Sequence, residues 1–306
     1  MAYLDRGGVR INYQTFGPPP DGATPLLLTH GFSASSAMWQ PNIEALAAAR
    51  PVITWDLRGH GSSDAPDDLA RYSAEACVAD MAALLDACGI ARVVAGGLSL
   101  GGFLSLEFCL ARPDRVAGLV LCDTGPGYRR DEARKQWNDR AIAIAGRLER
   151  DSARGLALAA RGILTQRDAR VIDALPAITI PALVLVGARD KDYLGAAEYM
   201  AARLPRAAHA VIPDAGHVCN VDQPDLFSQQ VLAFLDQPDL RLVCPLRLAG
   251  LSPPRSGRPR PAPRGYAARP AAPAVVPLPG SPRTESAAGS PCTIRRADAR
   301  HRAARR

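Results

Sequence analysis

The sequence predicts an α/β fold with a mostly parallel central sheet and helices on both faces. Three observations carry that prediction. First, short apolar runs recur at residues 26–29, 52–55, 93–95, 116–122, 182–186 and 208–212. Several of them are continuous rather than alternating, as befits strands covered on both sides. Second, helix-period segments separate most of these runs, and strand–helix alternation implies parallel pairing with crossover helices. Third, the residues with chemical potential fall at the ends of the runs, where open α/β sheets put their ligands.

The elements follow in order. Residues 1–16 read as two strands around Gly7-Gly8, a hairpin turn signal. A Gly/Pro loop at 17–22 leads to the strand at 26–29, which ends in His30-Gly31-Phe32. A helix over roughly 39–49 precedes the strand at 52–55, which ends in Asp56-Leu57-Arg58-Gly59-His60-Gly61. Residues 73–88 form an amphipathic helix with Cys77, Met81, Leu84, Leu85 and Cys88 on one face and Gly89 as its stop. The strand at 93–95 runs through Gly97-Leu98-Ser99-Leu100-Gly101 into an apolar helix containing Phe103, Leu106 and Phe108. The strand at 116–122 follows. Residues 124–180 are helical in pattern with no strand among them. They read as a small lid inserted between two strands, its Trp137, Ala141, Ile144, Ala145 and Leu148 on one face. The sheet resumes at 182–186, followed by Gly187-Ala188-Arg189-Asp190, a helix near 194–204, the strand at 208–212, and Pro213-Asp214-Ala215-Gly216-His217. Pro224 opens the last helix.

Domain boundaries follow: residues 1–123 and 181–238 make the core, 124–180 the lid, and 239–306 a tail. Composition changes sharply at the tail. Residues 241–306 hold 14 Arg against two acids and 12 of the 27 prolines, whereas 1–240 carry 23 Lys and Arg against 28 Asp and Glu. The overall charge of +7 therefore belongs to the tail. With no sustained periodicity it is expected to be disordered. A basic arm can serve nucleic acid or an acidic membrane surface. Tyr266 is the tail's only aromatic residue, so the stacking platform of single-strand binders is missing, and no nucleic-acid partner is expected. No apolar run reaches the roughly 20 residues of a membrane span, and the N-terminus lacks a signal-peptide pattern. The expected location is cytoplasmic, with no membrane association. Seven cysteines, an odd number without Cys-x-x-Cys or Cys/His ligand spacing, read as packed thiols. No metal is expected. The oligomeric state is left open.

Ser99 is the nucleophile candidate. On a tight strand-to-helix turn a serine adopts a strained backbone, and neighbours two residues away must be glycine to avoid collision. The turn sets the amide of Leu100 at a helix N-terminus, where free N–H groups favour negative charge. The amide of Phe32, on the glycine-flexible turn after the first core strand, can pair with it. Taken alone, the pentapeptide is equally a glycine-rich loop with Ser99 as its cap. Asp190 and His217, at two later strand ends, change that balance. Asp192 and Asp123 remain alternatives for the acid. His30, His60, Asp56 and Arg58 read as loop-ordering residues, and Trp39 and Cys219 as packing.

Residues 26–236 resemble the α/β-hydrolase fold family. The resemblance rests on H-G-F at 30–32, D-L-R-G-H-G at 56–61, G-L-S-L-G at 97–101, G-A-R-D at 187–190 and D-A-G-H at 214–217. It implies a cofactor-free serine hydrolase. Ser99 would attack, His217 would act as general base and then acid, and Asp190 would orient the imidazole. The amides of Phe32 and Leu100 would form the oxyanion hole. The implied substrate is a small carboxylic ester or lactone, with Trp137, Ile144 and Ile163 lining an apolar pocket. The same triad serves carbon–carbon bond hydrolases and thioesterases, and a non-catalytic ligand-binding member is the reading from another class. A serine at the elbow sets the chain apart from the relatives that use aspartate there. Against the family pattern the 124–180 lid is short, and the tail lies outside the resemblance.

Overall fold

The computed structural model describes residues 2–19 and 23–240. These lie within Met1–Val276, the first of two compact units into which the chain divides. Residues 241–306, the predicted tail, fall outside the described part.

Eight strands form one sheet: β1 (Ala2–Asp5), β2 (Arg10–Phe16), β3 (Leu26–Thr29), β4 (Val52–Trp55), β5 (Val93–Leu98), β6 (Val116–Cys122), β7 (Ala182–Gly187) and β8 (Ala207–Ile212). Their spatial order is β1-β2-β4-β3-β5-β6-β7-β8. The hairpin β1–β2 and the β2–β4 pair are antiparallel, and every later pair is parallel. Nine α-helices are described: α1 (Gln40–Ala47), α2 (Ala74–Ala87), α3 (Leu100–Ala111), α4 (Asp131–Arg150), α5 (Arg154–Gly162), α6 (Arg170–Ala174), α7 (Leu194–Arg203), α8 (Cys219–Asp222) and α9 (Pro224–Leu235).

Period-2 alternation of strand side chains sorts the core into two layers. Leu27, Ile53, Val93, Ala95, Leu119, Leu121, Val184 and Val186 face one side, where they meet Met81, Leu84 and Leu85 of α2, Leu104 and Phe108 of α3, and Met200 of α7. Leu26, Leu28, Val52, Val94, Val120, Leu183 and Leu185 face the other, against Ile43 and Leu46 of α1 and Phe227, Val231 and Phe234 of α9. The continuous apolar runs thus reflect burial on both faces. Strand β8 differs: three of its six residues are exposed, with Val211 at 47 %, because it closes the sheet edge.

Three elements depart from the sequence prediction. The helix near 39–49 begins as a 3-10 turn, Ser36–Trp39, before α1. The short helix α8 was not foreseen; four residues are too few for a periodic signal. The core also extends beyond residue 238. Leu240 is 1 % exposed in the α1/α9 layer, and its carbonyl accepts a hydrogen bond from the Thr24 hydroxyl. Reading 239 and 240 as tail missed one apolar anchor, because a single buried leucine after a helix carries no periodicity.

Between β6 and β7 the described elements are α4, α5, α6 and a 3-10 turn. Helices α4 and α5 pack together, closed by the turn at Ser152, which has φ of 59°. Ala145, Ala157 and Ala160 form their own small buried cluster, against which Phe32, Ile144 and Leu148 pack.

Candidate active site

Ser99 sits between β5 and α3 with φ 54° and ψ −116°, a conformation that L-residues adopt only under constraint. The constraint is visible on both sides. A Cβ on Gly97 would run into the backbone of Gly101, and one on Gly101 would run into the carbonyl of Thr29. The Ser99 N–H donates to the Cys122 carbonyl at 2.9 Å, and the Thr124 hydroxyl donates to the Ser99 carbonyl at 2.6 Å. The elbow is thereby pinned to the adjoining strand, and Leu100 becomes the first residue of α3.

The loop after β3 approaches the elbow. A Cβ on Gly31 would lie 3.5 Å from that of Ser99, so this loop runs against the elbow just before Phe32. His30 orders this loop: its Nε2 accepts from the Leu57 N–H at 3.0 Å, and its Nδ1 meets the Gly31 carbonyl at 2.7 Å. The His60 ring packs on both His30 and Phe32. Burial, reinforced by His30, pushes His60 down to about 3, so it is neutral near pH 7. Asp56 is buried and accepts from Asn12 and from the N–H groups of Ser36 and Ser62. Burial raises its pKa, but those hydrogen bonds outweigh it and hold the carboxyl below its usual range. Arg58 grips Asp80 through two bonds, 2.6 and 2.8 Å. These four residues are structural supports of the loops, as their sequence context suggested.

His217 and Asp190 come together. His217 Nδ1 lies 2.8 Å from Asp190 Oδ2, with the carboxylate side chain 6 % exposed and the imidazole 36 %. Their loops are tied to one another: the Ala188 N–H donates to the Ile212 carbonyl at 2.9 Å and the Arg189 N–H to the Ala215 carbonyl at 2.8 Å. Asp222 braces the histidine loop by accepting from the Gly216 N–H at 2.7 Å. Burial lowers the His217 pKa, but the hydrogen bond and charge of Asp190, with smaller help from Asp123 and Asp192, outweigh it and raise it. Asp192 is exposed and contributes only at longer range.

Two neighbours were missed or underrated in the sequence. Tyr193 stacks on the His217 imidazole, with centroids 4.9 Å apart and an interplanar angle of 27°. Its phenol also lies near the Ser99 side chain. Among the described residues no hydrogen bond joins the Ser99 side chain to the imidazole; serine–histidine contacts often tighten only with substrate in place. The available signal was position, three residues after Asp190 in the same loop. Asp123 is fully buried with φ 44°. It accepts from the Gly187 N–H at 2.8 Å and the Cys219 N–H at 3.4 Å, bridging the loops that carry Asp190 and His217. Burial pushes its carboxyl up to about 6.

The pocket candidates divide. Trp137 and Ile144 are half-buried and pack at the edge of the larger core layer. Trp137 Nε1 donates to the Leu164 carbonyl at 2.8 Å, and Ile144 shares a cluster with Phe32. Ile163 is 1 % exposed inside the core; its side chain packs α5 onto the body and presents no open face. Trp39 and Cys219 are fully buried, in keeping with packing roles.

A strained serine at a strand–helix elbow, followed in sequence by a paired aspartate and histidine at two later strand ends, defines a class. Residues 24–151 match the family described as the alpha/beta hydrolase fold. A carbamate hydrolase of Caulobacter segnis is 30 % identical over 260 residues, covering 74 % of this chain and 96 % of the relative. The protein belongs to the α/β-hydrolase fold family. It is also similar to a 2-succinyl-6-hydroxy-2,4-cyclohexadiene-1-carboxylate synthase of Bacillus subtilis, at 28 % identity over 74 % of this chain and 95 % of the relative. Among solved structures it resembles the enol-lactonase from Burkholderia xenovorans, with 26 % identity, TM-score 0.66, and coverage of 77 % of this chain and 100 % of that one. The thermophilic esterase from Thermogutta terrifontis has 30 % identity and TM-score 0.65, over 76 % and 96 %. No described helix is long and apolar enough to cross a membrane.

Proposed function

We propose that the protein is a serine hydrolase of small carboxylic esters or lactones, with Ser99 as nucleophile, His217 as general base and acid, and Asp190 as the residue that orients the imidazole. The observation that carries this reading is the 2.8 Å His217 Nδ1–Asp190 Oδ2 contact beside a strained serine at the elbow. With Nδ1–H held by the carboxylate, Nε2 is left as the base. On attack, the Ser99 proton passes to Nε2 as the Oγ–carbonyl bond forms. The same proton then goes to the leaving alkoxide, and water hydrolyses the acyl-enzyme by the reverse sequence.

The amides of Phe32 and Leu100 are the proposed oxyanion donors; losing one such donor costs about 10²–10³ in rate. Helices α4 to α6 act as a lid whose Trp137 and Ile144 favour an apolar acyl or ring portion. Similar proteins named as enol-lactonases and as an esterase support the ester and lactone classes. The mechanism calls for no cofactor.

The test is labelling with a fluorophosphonate probe, followed by turnover of a panel of esters, lactones and thioesters. Labelling in wild type that disappears in Ser99→Ala is the expected result. An unlabelled wild type, or a labelled Ser99→Ala, overturns the serine assignment.

A further inference from the structure

Next to the Asp190–His217 pair lies a second group of donors that the hydrolytic mechanism does not use. Cys122 ends β6, Asp123 follows it, and Cys219 opens α8. Successive strand side chains point to opposite faces, so a continued β6 would turn Asp123 away from Cys122. The φ of 44° at Asp123 turns its carboxylate back towards Cys122. Their Sγ and Oδ2 atoms are 3.5 Å apart. Cys219 arrives from 97 residues away with its sulfur 3.3 Å from that of Cys122. All three residues are fully buried, and both cysteines are free thiols.

We propose that Cys122, Asp123 and Cys219 form a binding site for one thiophilic divalent cation of the zinc class. Zinc binds thiolate at about 2.3 Å and carboxylate oxygen at about 2.0–2.2 Å in tetrahedral geometry. Around such a centre two sulfurs stand about 3.8 Å apart and a sulfur and an oxygen about 3.6 Å. The observed sulfur–oxygen distance already fits, and the sulfurs need to part by only about half an ångström. Two soft ligands and one hard one select zinc, cadmium or cobalt over magnesium or calcium, which require oxygen cages.

Among the described residues no lysine or arginine pairs with Asp123, whose carboxylate accepts from the backbone N–H groups of Gly187 and Cys219 and lies against the Cys122 thiol. Binding is balanced by proton release: the cation displaces one proton from each thiol, and the carboxylate is ligated as it stands. Asp123 also belongs to the group Asp123, Asp190 and His217, whose ligand atoms lie within 4.8 Å of one another. An occupied site would draw Asp123 and Cys219 together and disturb the loop that carries His217.

The experiment is an anaerobic titration of the reduced full-length protein with Co²⁺, in a background where Cys244 and Cys292 are serine. Expected are one bound equivalent, a thiolate-to-cobalt charge-transfer absorption and release of two protons. The band should fall to about a tenth or less in Cys122→Ser and in Cys219→Ser, and persist in Cys109→Ser. No band in the parent protein, or an undiminished band in both serine variants, overturns the proposal. Formation of a Cys122–Cys219 disulfide without metal uptake does so as well. Should the serine variants fail to fold, alkylation of the parent decides: bound Co²⁺ must protect Cys122 and Cys219, located by peptide mass spectrometry, and unprotected thiols reject the site. None of these readouts depends on hydrolysis, so the outcome is separate from that of the esterase assignment.

Discussion

The Tyr193 ring lies over the His217 imidazole, with centroids 4.9 Å apart and the two planes 27° from parallel. One side chain therefore covers the proposed general base. Aromatic contacts of this kind are worth about 0.5–1.5 kcal/mol. Tyr193→Phe keeps the stacking and is expected to retain kcat on a p-nitrophenyl ester within about threefold. Tyr193→Ala frees the imidazole and should lower kcat by about tenfold, in proportion to that energy. Equal losses in the two variants would assign the effect to the hydroxyl instead.

Asp190 raises the His217 pKa, and the base must be neutral to act. Activity is therefore expected to rise with pH through a value above the ordinary histidine range of about 6.5. Asp190→Asn removes the largest raising influence. It should move the acid limb of the kcat/KM profile to lower pH and depress kcat by orders of magnitude. The sign for stability follows from the same shift: the pair's contribution is present at low pH and lost as pH rises through the folded pKa. An unmoved acid limb would point to another acid.

Asp123 holds the N–H groups of Gly187 and Cys219. Asp123→Ala orphans both, at about 1–3 kcal/mol for each buried donor. Urea denaturation should show that loss, and the labelling rate of Ser99 should fall because the acid and base loops lose their common tether. Unchanged stability with unchanged labelling would exclude the tether.

Gly101→Ala drives a methyl group into the Thr29 carbonyl, a backbone atom with no rotamer to escape through. A cost of about 3 kcal/mol or more is expected, read as a lower urea midpoint. Gly195→Ala, where a Cβ meets nothing within 4 Å, is the neutral control.

Chains ending after Leu240 and after Gln237 differ by three residues: buried Leu240 with its bond to Thr24, Pro238, and Asp239, whose surface pairing with Arg206 contributes little. The shorter chain should be less stable by about 1.5–3 kcal/mol, the value of burying such a side chain. Equal urea midpoints would show that Leu240 contributes nothing.

Much of this protein can be read from the chain alone. Runs such as Leu26-Leu27-Leu28 and 116–122 must be strands covered on both faces, because no other short element hides every side chain. The glycines flanking Ser99 announce a turn that excludes Cβ atoms. The order of Ser99, Asp190 and His217 along strand ends places them on one rim of a parallel sheet. Such signals are local, set by sterics and periodicity within a few residues. What only the tertiary structure decided is which groups meet across the sheet. Asp190 rather than Asp192 faces His217, Tyr193 covers the imidazole, Ile163 turns into the core, and Cys122 finds Cys219 across 97 residues. Those outcomes depend on strand order and on the left-handed turn at Asp123, where distances between remote residues are set by packing and leave no periodic trace in the sequence.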